Sequence, residues 1–298
     1  MLYENPRSGR FEISRRQLLT TAAAGTAVLS AGASALAEPI AKKGNIKQSL
    51  VQWCYKKYWD IDEMCRVAKQ LGCVSIELAD PKDWPTIKKN GLTCAIATSH
   101  GFEKGMNNPA YQEMCIEKMK ESIDACAEYG YPNVITFTGF RENIPDDVGL
   151  ANCVKGYKKI VGYAEKKKVT LCLEHLNSRV NEEMKGHPGY QGDHTDYCME
   201  IIREVGSPRL KLLFDIYHVQ IMDGDVIVRI KQYADYIAHV HTAGNPGRRE
   251  LDDEQEINYP PIMRALVEAG YTGYVGQEFI PTRDPLDGLK QAVALCDV

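Results

Sequence analysis

The clearest structural pattern in the chain lies at residues 196–241, which read DYCMEIIREVGSPRLKLLFDIYHVQIMDGDVIVRIKQYADYIAHVH. The amphipathic segment Asp196–Val205 ends at Gly206, and an apolar run of strand length follows at Lys211–Asp215. A second apolar run, Ile237–His241, comes after a stretch long enough for a crossover. Nearly continuous apolar strands that alternate with helical segments are typical of parallel sheets covered by helices on both faces. The pattern therefore predicts right-handed strand–helix–strand units.

The same alternation extends over the chain and predicts eight strands. The predicted strands are Ile46–Trp53, Val74–Leu78, Cys94–Thr98, Val134–Thr138, Thr170–Glu174, Lys211–Asp215, Ile237–His241 and Tyr274–Glu278. Predicted helices between them include Ile61–Leu71, Tyr111–Tyr129, Asp147–Lys168, Asp196–Val205 and Pro261–Ala269, and several are followed by a glycine suited to end a helix: Gly72, Gly130, Gly206 and Gly270.

Eight such units favour a single α/β domain, a (β/α)8 TIM barrel over residues 45–298. The alternative is an open doubly wound sheet, which usually carries a glycine-rich phosphate turn after its first strand. Here Trp53-Cys54-Tyr55-Lys56-Lys57-Tyr58 follows the first strand, and no such turn occurs. The barrel is the better interpretation.

Charge and composition favour a small-molecule partner. The 298 residues are 44% hydrophobic and carry 36 Lys and Arg against 40 Asp and Glu, for a net charge of −4. Without a basic patch, the chain offers no electrostatic footprint for nucleic acid. We expect a small hydroxy-carbonyl or sugar substrate and allow for a homo-oligomer.

The first 37 residues are predicted to be an export leader and not part of the barrel. Paired Arg15 and Arg16 precede the weakly apolar stretch 18–37, which ends in the small-x-small pattern Ala35-Leu36-Ala37. This pattern resembles a twin-arginine signal and predicts a periplasmic protein. An ordinary signal or a single membrane anchor is the alternative, but the stretch is poor in large apolar residues, so we expect no stable membrane span after cleavage.

The ten cysteines are predicted to lie in the core. They occur without C-x-x-C spacing and mostly inside apolar runs, where a thiol behaves as a small hydrophobic group. A disulfide scaffold is the alternative in an exported protein. Export of an already folded chain fits buried free thiols better.

Four consecutive predicted strands, the fifth to the eighth, end in a polar residue: Glu174, Asp215, His241 and Glu278. The carboxyl ends of barrel strands meet at one rim, so we expect these side chains to converge. Three carboxylates in a partly dry cavity need a cation, because an unpaired buried charge costs several kcal/mol. Oxygen ligands with one imidazole suit one divalent metal ion, Mn²⁺, Mg²⁺ or Co²⁺, better than structural zinc.

Other polar residues near this rim are candidates for binding substrate. His218 lies three residues after Asp215, and His100 follows the third predicted strand. Arg248 follows the seventh strand and could clamp a carboxylate or hydroxyl, with its neighbour Arg249 as an alternative. We interpret His239, one strand repeat before the predicted ligand at 241, as a core histidine.

Several stretches around these residues resemble the hydroxypyruvate isomerase family, which belongs to the xylose isomerase-like barrel superfamily. The resemblance covers essentially the whole chain after the leader and is carried by Leu173-Glu174, the run from Phe214 to Gly224, Pro246-Gly247-Arg248 and Gly276-Gln277-Glu278-Phe279. It implies a metal-dependent isomerase whose metal is held by Glu174, Asp215, His241 and Glu278. It also implies that Glu174 and Glu278 serve as acid and base.

The expected reaction moves a proton on a hydroxy-carbonyl compound through an enediolate. A ketose 3-epimerase, another sugar-derivative epimerase or a hydro-lyase on the same barrel is the alternative, and His241 matches the histidine that the epimerases carry there. A multi-zinc endonuclease-like barrel is disfavoured by the acidic chain and its seven histidines. A non-catalytic sugar-binding barrel could use Trp53 and Tyr55 as a platform, but it leaves the paired glutamates unexplained.

Overall fold

The computed structural model describes residues 38–298. The predicted export leader, residues 1–37, lies outside the described residues, so it stays a prediction. Within the described residues, no helix is long and apolar enough to cross a membrane.

Within residues 38–298, seven parallel strands form one sheet, in the order β2-β1-β7-β6-β5-β4-β3. Their bounds are β1 (Lys47–Val51), β2 (Ser75–Glu77), β3 (Asn133–Phe137), β4 (Thr170–Glu174), β5 (Leu210–Asp215), β6 (Ile237–Thr242) and β7 (Tyr274–Gln277). Each lies within or close to a predicted strand. Every strand pair is parallel, and nearly all strand residues are buried, as expected for a sheet with helices outside and side chains packed within.

The predicted third strand, Cys94–Thr98, is not a regular strand, and this corrects the prediction of eight. The segment still lies between the two edge strands, because Leu78 N donates to Ile96 O at 2.9 Å and Ala97 N donates to Asn133 O at 2.9 Å. At Ala95, side chains replace the backbone ladder: Ala95 N donates to Ser75 Oγ, and Ala95 O accepts from Asn133 Nδ2, each at 2.9 Å. The barrel is closed by this irregular segment.

The helices are α1 (Gln52–Tyr55), α2 (Ile61–Leu71), α3 (Trp84–Lys89), α4 (Pro109–Tyr129), α5 (Asp146–Lys158), α6 (Val161–Lys167), α7 (Thr195–Val205), α8 (Ile216–Met222), α9 (Val226–Tyr233), α10 (Tyr259–Glu268) and α11 (Pro285–Cys296). Short 3₁₀ turns occupy Pro81–Asp83 and Ala234–Tyr236. The predicted glycines end their helices with φ values between 71° and 84°: Gly72, Gly130, Gly206 and Gly270.

One predicted helix, Asp147–Lys168, is divided into α5 and α6. The backbone tightens at the junction, where Lys159 N donates to Gly156 O and Ile160 N donates to Tyr157 O, both i→i+3 bonds. Ile160 is fully buried there, so the break turns its side chain into the core.

The inside of the barrel is divided into an apolar and a polar part. On β3, β4 and β5, Ile135, Cys172 and Leu213 belong to a small apolar cluster. The polar part includes Glu77 on β2 and His239 and His241 on β6, all with 0% exposure. All ten cysteines are buried and free, as predicted.

Candidate active site

The four predicted ligand residues lie together at the carboxyl ends of their strands. Glu174 and Asp215 are the last residues of β4 and β5, His241 is next to last in β6, and Glu278 directly follows β7. Strand register places Asp215 beside His241. One ligand atom from each of the four side chains lies within 4.8 Å of the others, and all four residues are buried. The expected convergence at one rim is therefore observed.

The donor atoms of this cluster fit a divalent cation. Glu174 Oε1 and Asp215 Oδ2 are buried without a hydrogen-bond partner among the described residues. His241 Nδ1 lies 2.8 Å from Glu278 Oε2 and 3.6 Å from Glu174 Oε1. Buried polar atoms without partners are costly, whereas carboxylate oxygens with one imidazole nitrogen are the ligands that Mn²⁺, Mg²⁺ and Co²⁺ accept. These residues could hold one such ion.

The carboxylates of the cluster differ in their electrostatic surroundings. Burial raises the pKa of Glu174, and it raises the pKa of Asp215 to about 7 although Arg248 acts in the opposite direction. Burial also acts against ionised Glu278, but the positive charges of His241 and Arg248 hold its pKa well below the usual range. Burial would lower the pKa of His241, yet Glu278 and the other carboxylates raise it well above its usual value. In this buried site, ionisation is therefore disfavoured at Glu174 and Asp215 and favoured at Glu278.

Two side chains fix the position of Glu278. Trp53 Nε1 donates to Glu278 Oε1 at 2.9 Å, and Arg248 Nη2 donates to Glu278 Oε2 at 2.7 Å. The guanidinium of Arg248 lies 5.3 Å from the Trp53 ring and 5.8 Å from the Tyr217 ring, and only 3% of the residue is exposed. Arg248 also has a φ of 52°, which is uncommon for a residue with a side chain. Its predicted position beside the cluster is observed.

The alternative arginine, Arg249, points elsewhere. Its Nη2 donates to Glu254 O at 2.9 Å, and its Nη1 lies 3.3 Å from Glu254 Oε2. These contacts belong to the loop after β6 and not to the cluster.

His218 is held as a neutral donor facing the cluster. Asn177 N donates to His218 Nδ1 at 3.0 Å, so Nδ1 is the unprotonated nitrogen and Nε2 carries the hydrogen. Nε2 lies 3.5 Å from Asp215 Oδ2 and has no hydrogen-bond partner among the described residues. Burial lowers the pKa of His218 well below its usual value, which keeps the ring neutral. The ring can therefore donate one hydrogen bond to a substrate oxygen.

His100 has a different environment from the other predicted substrate residues. Its Nδ1 lies 3.0 Å from Gly101 O and 3.1 Å from Lys104 O, and its Nε2 lies 2.9 Å from Thr136 Oγ1. Both ring nitrogens thus already have protein partners. These contacts give no support to the prediction that His100 binds substrate.

Glu77 is the buried residue near the cluster that sequence reasoning missed. It ends β2, and its Oε1 lies 2.8 Å from His239 Nε2 and 2.9 Å from His241 Nε2. Burial raises the pKa of Glu77, but the two histidines outweigh burial and lower it to about 2. The same signal that singled out Glu174, a carboxylate ending an apolar strand, was present at Glu77. His239 lies in the core, as we interpreted it.

A parallel barrel with a buried carboxylate and histidine cluster at its strand ends defines a class of barrel proteins suited to bind a divalent metal. Within that class, the chain belongs to the xylose isomerase-like TIM barrel family, which matches residues 65–297.

Curated relatives of this chain carry isomerase names. A human protein named putative hydroxypyruvate isomerase is 25% identical over 261 residues, which cover 80% of this chain and 91% of the relative. A protein of Cupriavidus necator named 2-oxo-tetronate isomerase is 35% identical over 150 residues, which cover 49% of this chain and 55% of the relative.

A solved structure supports the fold. A Brucella melitensis protein described as an AP endonuclease of family 2 superposes with a TM-score of 0.73 at 22% identity, covering 82% of this chain and 97% of that protein. At this identity the likeness concerns the fold alone.

Proposed function

We propose that this chain is a metal-dependent isomerase that moves a proton between neighbouring carbons of a small hydroxy-carbonyl acid. The observation that carries the proposal is the buried set Glu174, Asp215, His241 and Glu278, whose ligand atoms lie within 4.8 Å of one another. The isomerase names of the two curated relatives support the reaction class. The periplasmic location is a further part of the proposal, and it rests on the leader sequence alone.

The same four side chains would hold the metal ion. When bound, a divalent cation supplies Lewis acidity, which polarises a carbonyl and stabilises negative charge on its oxygen. The protein's contribution is a fixed and dry arrangement of these ligands, since all four are buried.

The two glutamates are placed to move the proton. Glu174 and Glu278 both reach His241 Nδ1, at 3.6 Å and 2.8 Å, from strands on different sides of β6. We assign one glutamate to remove the proton from the substrate carbon, which gives an enediolate, and the other to return a proton to the neighbouring carbon. Trp53 and Arg248 hold Glu278 through both of its oxygens, so its orientation is fixed before substrate binds.

Arg248 and His218 would position the substrate. Both curated relatives are named for acting on a 2-oxo acid, and a buried guanidinium beside the cluster suits the carboxylate of such a compound. The Nε2–H of His218 faces the cluster and would donate to a substrate hydroxyl or carbonyl oxygen. The alternative reaction, epimerisation of a ketose, returns the proton to the opposite face of the same carbon. The histidine at position 241 favours that alternative, as stated above.

Solvent exchange tests the proposal. Metal-free protein is loaded with Mn²⁺, Mg²⁺ or Co²⁺ and incubated in D₂O with hydroxypyruvate, with a 2-oxo-tetronate or with common ketoses. We expect metal-dependent deuterium incorporation at the carbon next to the carbonyl and conversion to an isomer. Glu278→Gln should abolish the exchange. Wild-type exchange in that variant would remove Glu278 from catalysis, and ketose epimers without acid isomers would favour the alternative.

A further inference from the structure

We infer that Glu77 is a positioning residue that sets which nitrogen of His241 is offered to the metal. The inference rests on the proposed function, because it concerns a ligand of the proposed metal site. It begins from the contact of Glu77 Oε1 with His241 Nε2, at 2.9 Å, on the side of the imidazole away from the cluster.

The chemistry of this contact fixes the tautomer of the imidazole. Glu77 Oε1 lies between two imidazole nitrogens and accepts a hydrogen bond from each, so His241 Nε2 carries the hydrogen of this contact. An imidazole that binds a metal is neutral, and with its hydrogen on Nε2 the lone pair lies on Nδ1, the atom that faces the cluster. A carboxylate behind a ligating imidazole fixes ring orientation and increases ligand basicity in metal sites generally.

His239 makes the arrangement more rigid. Its Nε2 lies 2.8 Å from the same Oε1 atom of Glu77, and its ring centroid lies 4.9 Å from that of His241 at 86°. Glu77, His239 and His241 all have 0% exposure. Among the described residues, the two imidazoles are the hydrogen-bond partners of this carboxylate oxygen.

The backbone of β7 leaves room for the Glu77 carboxylate. A Cβ added at Gly276 would lie 2.0 Å from Glu77 Oε1 and 2.9 Å from His241 Cδ2. Any larger residue at 276 would therefore displace the carboxylate from the imidazole. The glycine at this position in the run Gly276-Gln277-Glu278 is explained by the space that Glu77 occupies.

Metal binding by chelator-treated protein tests the role of Glu77. Calorimetry with Mn²⁺ should give one site in the wild type and a dissociation constant about 10–100-fold weaker in Glu77→Ala, as for lost partners behind metal ligands. Glu77→Gln should be weakened less, since its amide oxygen still accepts from Nε2–H. Gly276→Ala should also weaken Mn²⁺ binding, because the added Cβ displaces the Glu77 carboxylate without changing that residue. It is the second test of the role of Glu77 if Glu77→Ala does not fold.

Two matched substitutions control for general damage. Glu250→Gln changes another glutamate with 0% exposure that accepts three hydrogen bonds outside the cluster. Gly162→Ala adds a Cβ where nothing lies within 4 Å. Both should bind Mn²⁺ as the wild type does.

A second readout separates positioning from a purely structural role. In ¹⁵N-histidine spectra of the Zn²⁺-loaded wild type, the His241 ring should carry its hydrogen on Nε2 and bind through Nδ1, and Glu77→Ala should lose this single state. Two results would overturn the role of Glu77 but not the proposed function. One is zinc binding through His241 Nε2, and the other is a Glu77→Ala variant that binds Mn²⁺ as tightly as the wild type does. A wild type that binds no divalent ion would overturn the proposed function too.

Discussion

Two pairs of carboxylates in this barrel differ in the number of hydrogen-bond donors around them. Asp223 and Glu250 are saturated. Asp223 accepts from Thr195 N at 2.9 Å, from Thr195 Oγ1 at 2.6 Å and from His194 Nδ1 at 2.7 Å. Glu250 accepts from Thr282 N and Oγ1, both at 2.8 Å, and from Arg283 N at 3.2 Å. Burial acts against both carboxylates, but these hydrogen bonds lower both pKa values.

Glu174 and Asp215 are buried, and each leaves one oxygen without a partner among the described residues. The effect of burial therefore exceeds that of the nearby positive charges, and it raises the pKa of both carboxylates. Asp223 and Glu250, which lie in connecting segments, each accept three hydrogen bonds, whereas the carboxylates at the strand ends have an oxygen that accepts none. Missing hydrogen-bond donors at buried carboxylates are expected where a bound ligand supplies the remaining contacts.

The largest expected difference between the pairs is in catalysis. Glu174→Gln should lower the rate of proton exchange about 10²–10⁴-fold, because the amide can neither take up nor return a substrate proton. Glu250→Gln should keep the wild-type rate, because its side chain accepts its hydrogen bonds from Thr282 and Arg283 and not from the cluster. The measurement is kcat for exchange at saturating metal.

Circular dichroism spectra recorded alongside would confirm that both variants are folded. Equal losses of kcat in Glu174→Gln and Glu250→Gln would show that burial alone, and not the free oxygen, makes these carboxylates important.

A smaller effect is expected on stability at the saturated pair. Asp223→Asn should lower the free energy of unfolding by about 1–3 kcal/mol at pH 7, because the amide cannot accept all three hydrogens. The folded-state pKa of Asp223 is depressed, so its contribution is present above the usual aspartate value and is lost as pH falls through the folded-state pKa. The gap between wild type and variant, measured by urea unfolding, should therefore close below about pH 4. A gap that is constant down to pH 3 would contradict this origin.

The strand ends were predictable because barrel topology alone brings them together. Glu174, Asp215, His241 and Glu278 needed only the strand assignment and the direction of the chain. His100 was not predictable in this way, because the direction of its ring is set by the carbonyls of a loop, Gly101 O and Lys104 O.

The sequence pattern also could not predict where side chains replace backbone groups as hydrogen-bond partners. Cys94–Thr98 is apolar enough for a strand, but Ser75 and Asn133 take the hydrogen bonds of Ala95. Glu77 was passed over for a different reason, since the predicted strand Val74–Leu78 ran one residue past it, whereas the observed strand ends at Glu77. Its importance depends on which histidines lie across the barrel from it.

The smallest and most diagnostic effect is expected at Asp215 in metal-free protein. Burial raises its pKa to about 7, compared with about 4 in the unfolded chain. Between these two pH values the folded state keeps a proton that the unfolded state has lost, so the free energy of unfolding falls as pH rises through this window. Asp215→Asn removes that cost while its side-chain oxygen can still accept from Tyr217 N at the start of α8. In chelator at pH 8 the variant should be more stable by about 1 kcal/mol, or roughly 2–4 °C in Tm, and the gain should shrink at pH 5.

Saturating Mn²⁺ should reverse the relative stabilities of wild type and Asp215→Asn, because only the wild type keeps all four ligands. Metal binding stabilises the folded state by RT ln(1 + [Mn²⁺]/Kd). Asp215→Asn would then be the less stable protein, whereas Asp223→Asn would be destabilised equally with and without metal. An Asp215→Asn variant that loses stability in chelator would mean that the free oxygen of Asp215 has a partner in solution, and the contrast between the two pairs of carboxylates would disappear.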